Sequence, residues 1–480
     1  MEIRDLSPQA VFAEFDAITR VPRPSKHEEQ IRRYLVQWAE NHHLEYKTDK
    51  IGNVVMRKPA TKGREAEPAV ILQAHMDMVC EKNSNISHDF MHDPISTYVA
   101  DGWVRARGTT LGADDGIGMS MALALLASHE IGHPALECLF TVDEETGLTG
   151  AFALEEGMLT AKRLINLDSE DDGQIFIGCA GGIDTLATQP CRYAPVPKGM
   201  FAAEVRISGL KGGHSGDDIN KGRANANQLL ARYLFALLQQ GEVRIAAIDG
   251  GNLRNAIARE ACAVVCVPTA CKELLRTTLN VQSADWENEY SATEPDMKVT
   301  LESCELPEQA LEAGQSATLI RTLYACPHGV VAMSKDISGL VETSTNLASV
   351  KISDGNIVIN TSQRSSVESA KHDIKNKVEC ALALGGFSIS HGDGYPGWKP
   401  DTGSPLLKKA VEAYRSLFSA EPEVKAIHAG LECGLFLERY PGLDMISIGP
   451  QMTGVHSPDE QLSIESTERT WQWLLAIVSK

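Results

Sequence analysis

The chain has 480 residues, of which 43% are hydrophobic and 23% charged, with a formal net charge of −19. This length fits two or three domains of ordinary size, and the composition is that of a globular protein rather than a disordered or fibrous one. The negative balance argues against a nucleic-acid groove or an anionic lipid surface as partner, although it favours divalent cations at any carboxylate cluster.

The opening "MEIRDLSPQAVFAEFDAI" lacks the basic-then-apolar pattern of a secretory leader, and Ser7 reads as the cap of a first helix. "KHEEQIRRYLVQWAENHH" continues as an amphipathic helix and "NVVMRKP" as a strand. "PAVILQAHMDMV" is a near-continuous apolar strand of the kind buried on both faces of a parallel sheet. A helix, "DDGIGMSMALALLASHE", and two strands, "ALECLFTVDEE" and "RLINLDSED", follow. This alternation predicts a three-layer α/β domain over residues 1–184.

Around Thr185 to Gly199 the rhythm breaks at "ATQPCRYAPVPKGM", where three prolines fall close together and read as a linker. Beyond it strands and helices follow in the order strand, helix, two strands, helix, and a comparable order recurs. Residues 185–398 are therefore expected to form an inserted α+β domain of two related halves. The α/β grammar returns over 399–480 and completes the first sheet. No run reaches the roughly 18 apolar residues that cross a bilayer. The eleven cysteines are odd in number and scattered through apolar runs, which fits packing thiols of a reducing cytosol.

The metal-capable side chains share one location. His75 and Asp77 follow one strand, Asp114 precedes a helix, and Glu144 and Glu145 end the next strand. Asp168 ends another, and His456 lies just past the last. In an open α/β sheet, strand C-termini face the crevice where ligands bind. Taken singly, His75 is a turn histidine, Asp114 a helix cap and the glutamate pair a solvated corner. Together they are carboxylates that would repel one another unless a cation neutralised them.

"HMDMV", "GTTLGADDGIGM", "TVDEETGLTGA", "NLDSED" and "GPQMTGVHSPDE", in this order around an inserted domain, carry a family resemblance. The chain resembles the two-zinc metallopeptidases that include carnosinases, aminoacylases and tripeptidases, and most of all the bacterial aminoacyl-histidine dipeptidases. The resemblance implies an α/β fold, a three-layer zinc-peptidase catalytic domain with an inserted α+β lid domain. It implies two Zn2+ ions per subunit, with Mn2+ or Co2+ as substitutes. Asp114 would bridge them, His75 and Asp168 would complete one, and Glu145 and His456 the other. Asp77 would orient His75, and Glu144 would serve as general base.

In the insert, His214 of "LKGGHSGDD" would stabilise an oxyanion, and Asn346 and Arg364 would bind the substrate carboxylate. Gly430 and Glu432 of "AIHAGLECG" would line the pocket. In several relatives the lid histidine comes from a second subunit, and an enlarged lid could instead supply it within one chain. The implied protein is a cytoplasmic homodimer that hydrolyses unblocked dipeptides, foremost aminoacyl-histidine compounds such as carnosine. A deacylase of N-acylated amino acids, or a tripeptidase, is the alternative on the same site.

Overall fold

In the strands Val70–His75 and Leu136–Thr141 every residue is buried. Such strands need cover on both faces, so their sheet is the middle layer of three. The computed structural model describes residues 2–479, and the chain divides into two units.

The first unit comprises Met1–Cys179, Pro400–Ala426 and Leu431–Lys480. Its eight-stranded sheet runs in the order Glu45–Thr48, Val54–Lys58, Leu136–Thr141, Val70–His75, Arg163–Asn166, Asp444–Ser447, Gln174–Cys179, Glu423–Ile427. The four central strands, Leu136–Thr141 to Asp444–Ser447, pair in parallel. Thr141, His75, Asn166 and Ser447 therefore all end at one rim. The helix Ala113–Ala127 is buried along nearly its whole length and packs on Gln9–Ile18 and on Val70–His75. Elsewhere Pro405–Phe418 packs on Ile464–Ser479, where Trp473 Nε1 donates to Ala410 O at 2.9 Å.

A second, four-stranded sheet orders Met452–Thr453, Gln461–Ser463, Trp103–Ala106, Thr97–Ala100. It ties the segment around His456 to the chain just upstream of Asp114, with Gln461 opposite Arg105.

The second unit comprises Ala180–Lys399 and Ile427–Gly430. Nine strands form its main sheet, and every recorded pairing among them is antiparallel. Four helices, Ala226–Leu238, Lys272–Tyr290, Ala313–Ala325 and Glu368–Leu384, bury apolar faces in one core with it. This is an α+β unit.

Two expectations are corrected. The stretch Thr185 to Gly199 is not a linker: Gly181–Pro190 is a strand paired along its whole length with Asn356–Ser365, and Tyr193–Pro195 is another. Pro190 ends the first and Pro195 the second, positions where a missing N–H costs little. Glu144 and Glu145 do not end a strand. Leu136–Thr141 stops earlier, and the pair opens the short helix Glu144–Gly147, preceded by Asp143 at φ +49°.

Leu72 is fully buried in a central strand. Leu72→Ala should cost about 2–5 kcal/mol through lost burial and a residual cavity, read as a lowered urea midpoint.

Candidate metal centre

At the rim of the first unit's sheet, Asp114 faces two groups of side chains. Its Oδ1 lies 3.1 Å from His75 Nε2, which is itself 3.3 Å from Asp168 Oδ1. Its Oδ2 lies 3.1 Å from His456 Nε2, which is 2.9 Å from Glu145 Oε2. The structure thus assembles His75, Asp114 and Asp168 on one side, and Asp114, Glu145 and His456 on the other, each set with its ligand atoms within 4.8 Å of one another. All five side chains singled out as ligands in the sequence meet here.

This donor set suits a cation. Ligand atoms at about 2.0–2.1 Å from a tetrahedral zinc ion lie about 3.3–3.4 Å apart, close to the spacings observed. Imidazole nitrogen with carboxylate oxygen is a zinc-type set, which manganese and cobalt also accept. Glu145 Oε1 is buried and makes no hydrogen bond.

Electrostatics point the same way. Burial pushes the carboxyls of Asp168 and Asp115 well above the usual range. Burial does the same to Glu144, partly offset by His75 and reinforced by Asp168, Glu432 and Glu145. Burial also opposes ionisation of Asp114, yet its hydrogen bonds to His456 and His75 hold it below the usual range. Carboxylates crowded this closely bind protons or cations.

Asp77 is fully buried and grips two elements at once. Its Oδ1 accepts the Glu144 N–H at 3.0 Å, and its Oδ2 accepts Ser25 Oγ at 2.8 Å and the Glu145 N–H at 3.3 Å. Oδ1 also sits 3.3 Å from His75 Nδ1, at an angle too poor for a hydrogen bond. One carboxylate therefore caps the Glu144–Gly147 helix and faces the imidazole. Glu432 heads the helix Glu432–Arg439 and is buried. Its Oε2 accepts from Gln73 Nε2 at 2.7 Å and Thr141 Oγ1 at 2.9 Å, and burial pushes its carboxyl up to about 7.

The remaining residues fall in the second unit. His214 is partly exposed, and its Nδ1 accepts the N–H groups of Gly216 at 3.3 Å and Asp217 at 3.2 Å, which leaves the proton of the neutral ring on Nε2. Asn346 is buried, donating to Ala256 O at 2.8 Å. Arg364 is buried and donates to the Tyr395 hydroxyl at 2.9 Å; among the described residues no carboxylate pairs with it, and its Nε has no partner. Gly430 leaves room for the Tyr395 ring, since an added Cβ would stand 2.9 Å from Tyr395 Cε2.

Sequence reasoning missed His428, which shares a 2.7 Å hydrogen bond with Ser344 and which burial brings down to about 4. It also missed Asp115, which accepts the His75 N–H at 3.3 Å. The adjacent acids in "GADDGIG" were the one available signal for Asp115; nothing local marked His428.

A parallel-sheet rim carrying two carboxylate–histidine sets about a shared aspartate defines a metal-dependent hydrolase. The chain belongs to peptidase family M20/M25/M40, whose model matches residues 71–480. It is 43% identical over 479 residues to the cytosol non-specific dipeptidase of Escherichia coli (strain K12), covering 100% of this chain and 99% of that protein. The crystal structure of aminoacylhistidine dipeptidase from Vibrio alginolyticus matches with a TM-score of 0.95 at 41% identity, covering 100% of this chain and 98% of that one. Aminopeptidase PepT from Bacillus cereus ATCC 10987, at 17% identity and a TM-score of 0.57 over 99% of this chain and 98% of its own, shares the fold.

Asp77→Asn places an amide against the N–H groups of Glu144 and Glu145. It should weaken cation binding by about 10–100-fold, measured by titration against a competing chelator.

Proposed function

We infer that the protein is a metal-dependent dipeptidase, a hydrolase of the peptide bond in small unblocked peptides. The observation that carries this reading is Asp114 turning one carboxylate oxygen to His75 and the other to His456. Both full-length relatives bear dipeptidase names, one non-specific and one aminoacylhistidine. Dipeptide hydrolysis is the common ground, and the narrower reading we propose is a preference for aminoacyl-histidine substrates.

In this reading His75, Asp114 and Asp168 hold one divalent cation, and Asp114, Glu145 and His456 hold a second, with zinc the metal proposed. Bound there, the pair would supply a Lewis acid for the scissile carbonyl and bring the pKa of a water close to neutrality. Glu144 takes the proton of the attacking water and returns it to the leaving amine; its partial exposure and raised proton affinity suit both tasks. Asp77 keeps Glu144 and Glu145 in register by holding their N–H groups. For the second unit we propose that Arg364, a buried guanidinium lacking a carboxylate, receives the substrate carboxylate with Asn346 and Gly430 nearby, while His214 stabilises the oxyanion. Glu432 is proposed, with Gly430, to line the substrate pocket. A cytosolic location fits the name of the Escherichia coli relative, and the eleven free cysteines are compatible with it. A homodimer is proposed from the family resemblance and is read by light scattering.

With zinc present, the purified protein should cleave carnosine and other unblocked dipeptides, with higher kcat/KM for those ending in histidine. Cleavage of N-acetyl amino acids alone would overturn the dipeptidase reading. Glu144→Ala should lower kcat by at least about 10²–10⁴-fold with cation content intact. Glu145→Ala should lose cation as well, measured by elemental analysis of the dialysed protein.

A further inference from the structure

Two buried, oppositely charged side chains of the first unit have no part in the mechanism above. Arg23 is 2% exposed and Glu460 3%, and neither forms an ion pair among the described residues. Both direct their hydrogen bonds to the backbone beside the metal ligands. Arg23 Nη1 donates to Met76 O at 3.2 Å and Asp77 O at 2.6 Å, while Nη2 donates to Gly112 O. Glu460 Oε2 accepts the N–H groups of Leu111 at 2.7 Å and Gly112 at 3.1 Å. Its Oε1 accepts that of Ala113 at 2.7 Å, with the Asp114 N–H at 3.4 Å.

The segment that ends in Asp114 is therefore gripped from both sides, by an anion on its N–H groups and a cation on its carbonyl. The grip requires glycine at position 112. Its φ is +69°, and an added Cβ would stand 2.6 Å from Arg23 Nη2 and 2.8 Å from Met78 Sδ. Glu460 is also joined to a second ligand, because it follows His456 by four residues in one tight turn. The Glu460 N–H bonds Ser457 O at 3.1 Å, and His456 sits at φ +61°, a left-handed conformation that an L residue keeps only when its surroundings enforce it. The next residue, Gln461, begins the strand paired with Trp103–Ala106.

We propose that Glu460 is a positioning residue of the metal centre: it fixes the separation of Asp114 and His456, and through it the affinity of the cation those two share with Glu145. The proposal rests on the reading that these three side chains hold a cation. It predicts an asymmetry: Asp114 serves both sets, but Glu460 is also joined through its turn to His456, which belongs to one set only, and it touches neither His75 nor Asp168. A buried carboxylate that served stability alone would show no preference between the two sets.

The test is cation titration of the apo protein against a competing chelator, using zinc and, for its visible spectrum, cobalt. Glu460→Gln preserves side-chain volume but turns an amide N–H2 towards backbone N–H donors. The wild type should take up two equivalents. The variant should bind one equivalent about 10–100-fold more weakly and the other with a clearly smaller loss, with the larger change in cobalt absorption at the weakened site. Excess metal should restore kcat with KM for a dipeptide unchanged. Glu460→Asp, which keeps both oxygens on a shorter stem, should fall between the two. Equal weakening of both cations, or no change in either, would overturn the proposal. So would failure of both variants to fold in the presence of metal, which would assign Glu460 to folding alone. A wild type that binds fewer than two equivalents would instead refute the two-cation reading on which the proposal stands.

Discussion

The structure is organised around the repulsion among carboxylates packed at one rim of a parallel sheet. Asp77, Asp114 and Asp115 are buried there, with the partly buried Asp168, Glu144 and Glu145 beside them and two imidazoles between. Burying one unpaired carboxylate is costly, and a cluster of them is tolerable only with compensating positive charge. The family to which the chain belongs meets that demand with metal ions, and the paired donor sets around Asp114 are arranged to receive them. The same crowding, together with burial, raises the proton affinity of Glu144.

The rest of the first unit holds that crowding in place with backbone rather than with counter-charges. Central strands that pair in parallel deliver His75, Asp168 and the Glu144 turn to one edge of the sheet. Asp77 takes up the N–H groups of Glu144 and Glu145, and Glu460 those ahead of Asp114. The arrangement also separates two neighbouring glutamates. Consecutive residues on a helical turn point about 100° apart, so Glu145 reaches His456 while Glu144 stays available.

Much of this could be read in the amino-acid order, and the reasons differ by element. Apolar runs such as "AVILQAH" mark buried parallel strands because both faces must be covered, and ligands at strand ends follow from topology. The insert's α+β character was legible from its helical and alternating periods. The strand at Gly181–Pro190 was not, because prolines nearby imitate a linker while pairing across the sheet is non-local. The helical turn at Glu144 was hidden for a related reason: Val142 extends the apolar run past the end of the strand before Asp143 turns left-handed. Glu460 and Arg23 stand far from Asp114 in sequence, and only folding shows that their charges meet backbone. His428 lay within a quoted motif, yet its partner Ser344 is 84 residues away.

The central claim is that two cations flank Asp114. Anomalous diffraction at the zinc edge, from crystals grown with zinc, tests it most directly. Two peaks should appear, one among His75, Asp114 and Asp168 and the other among Asp114, Glu145 and His456. A single peak, or density away from these side chains, would contradict the account.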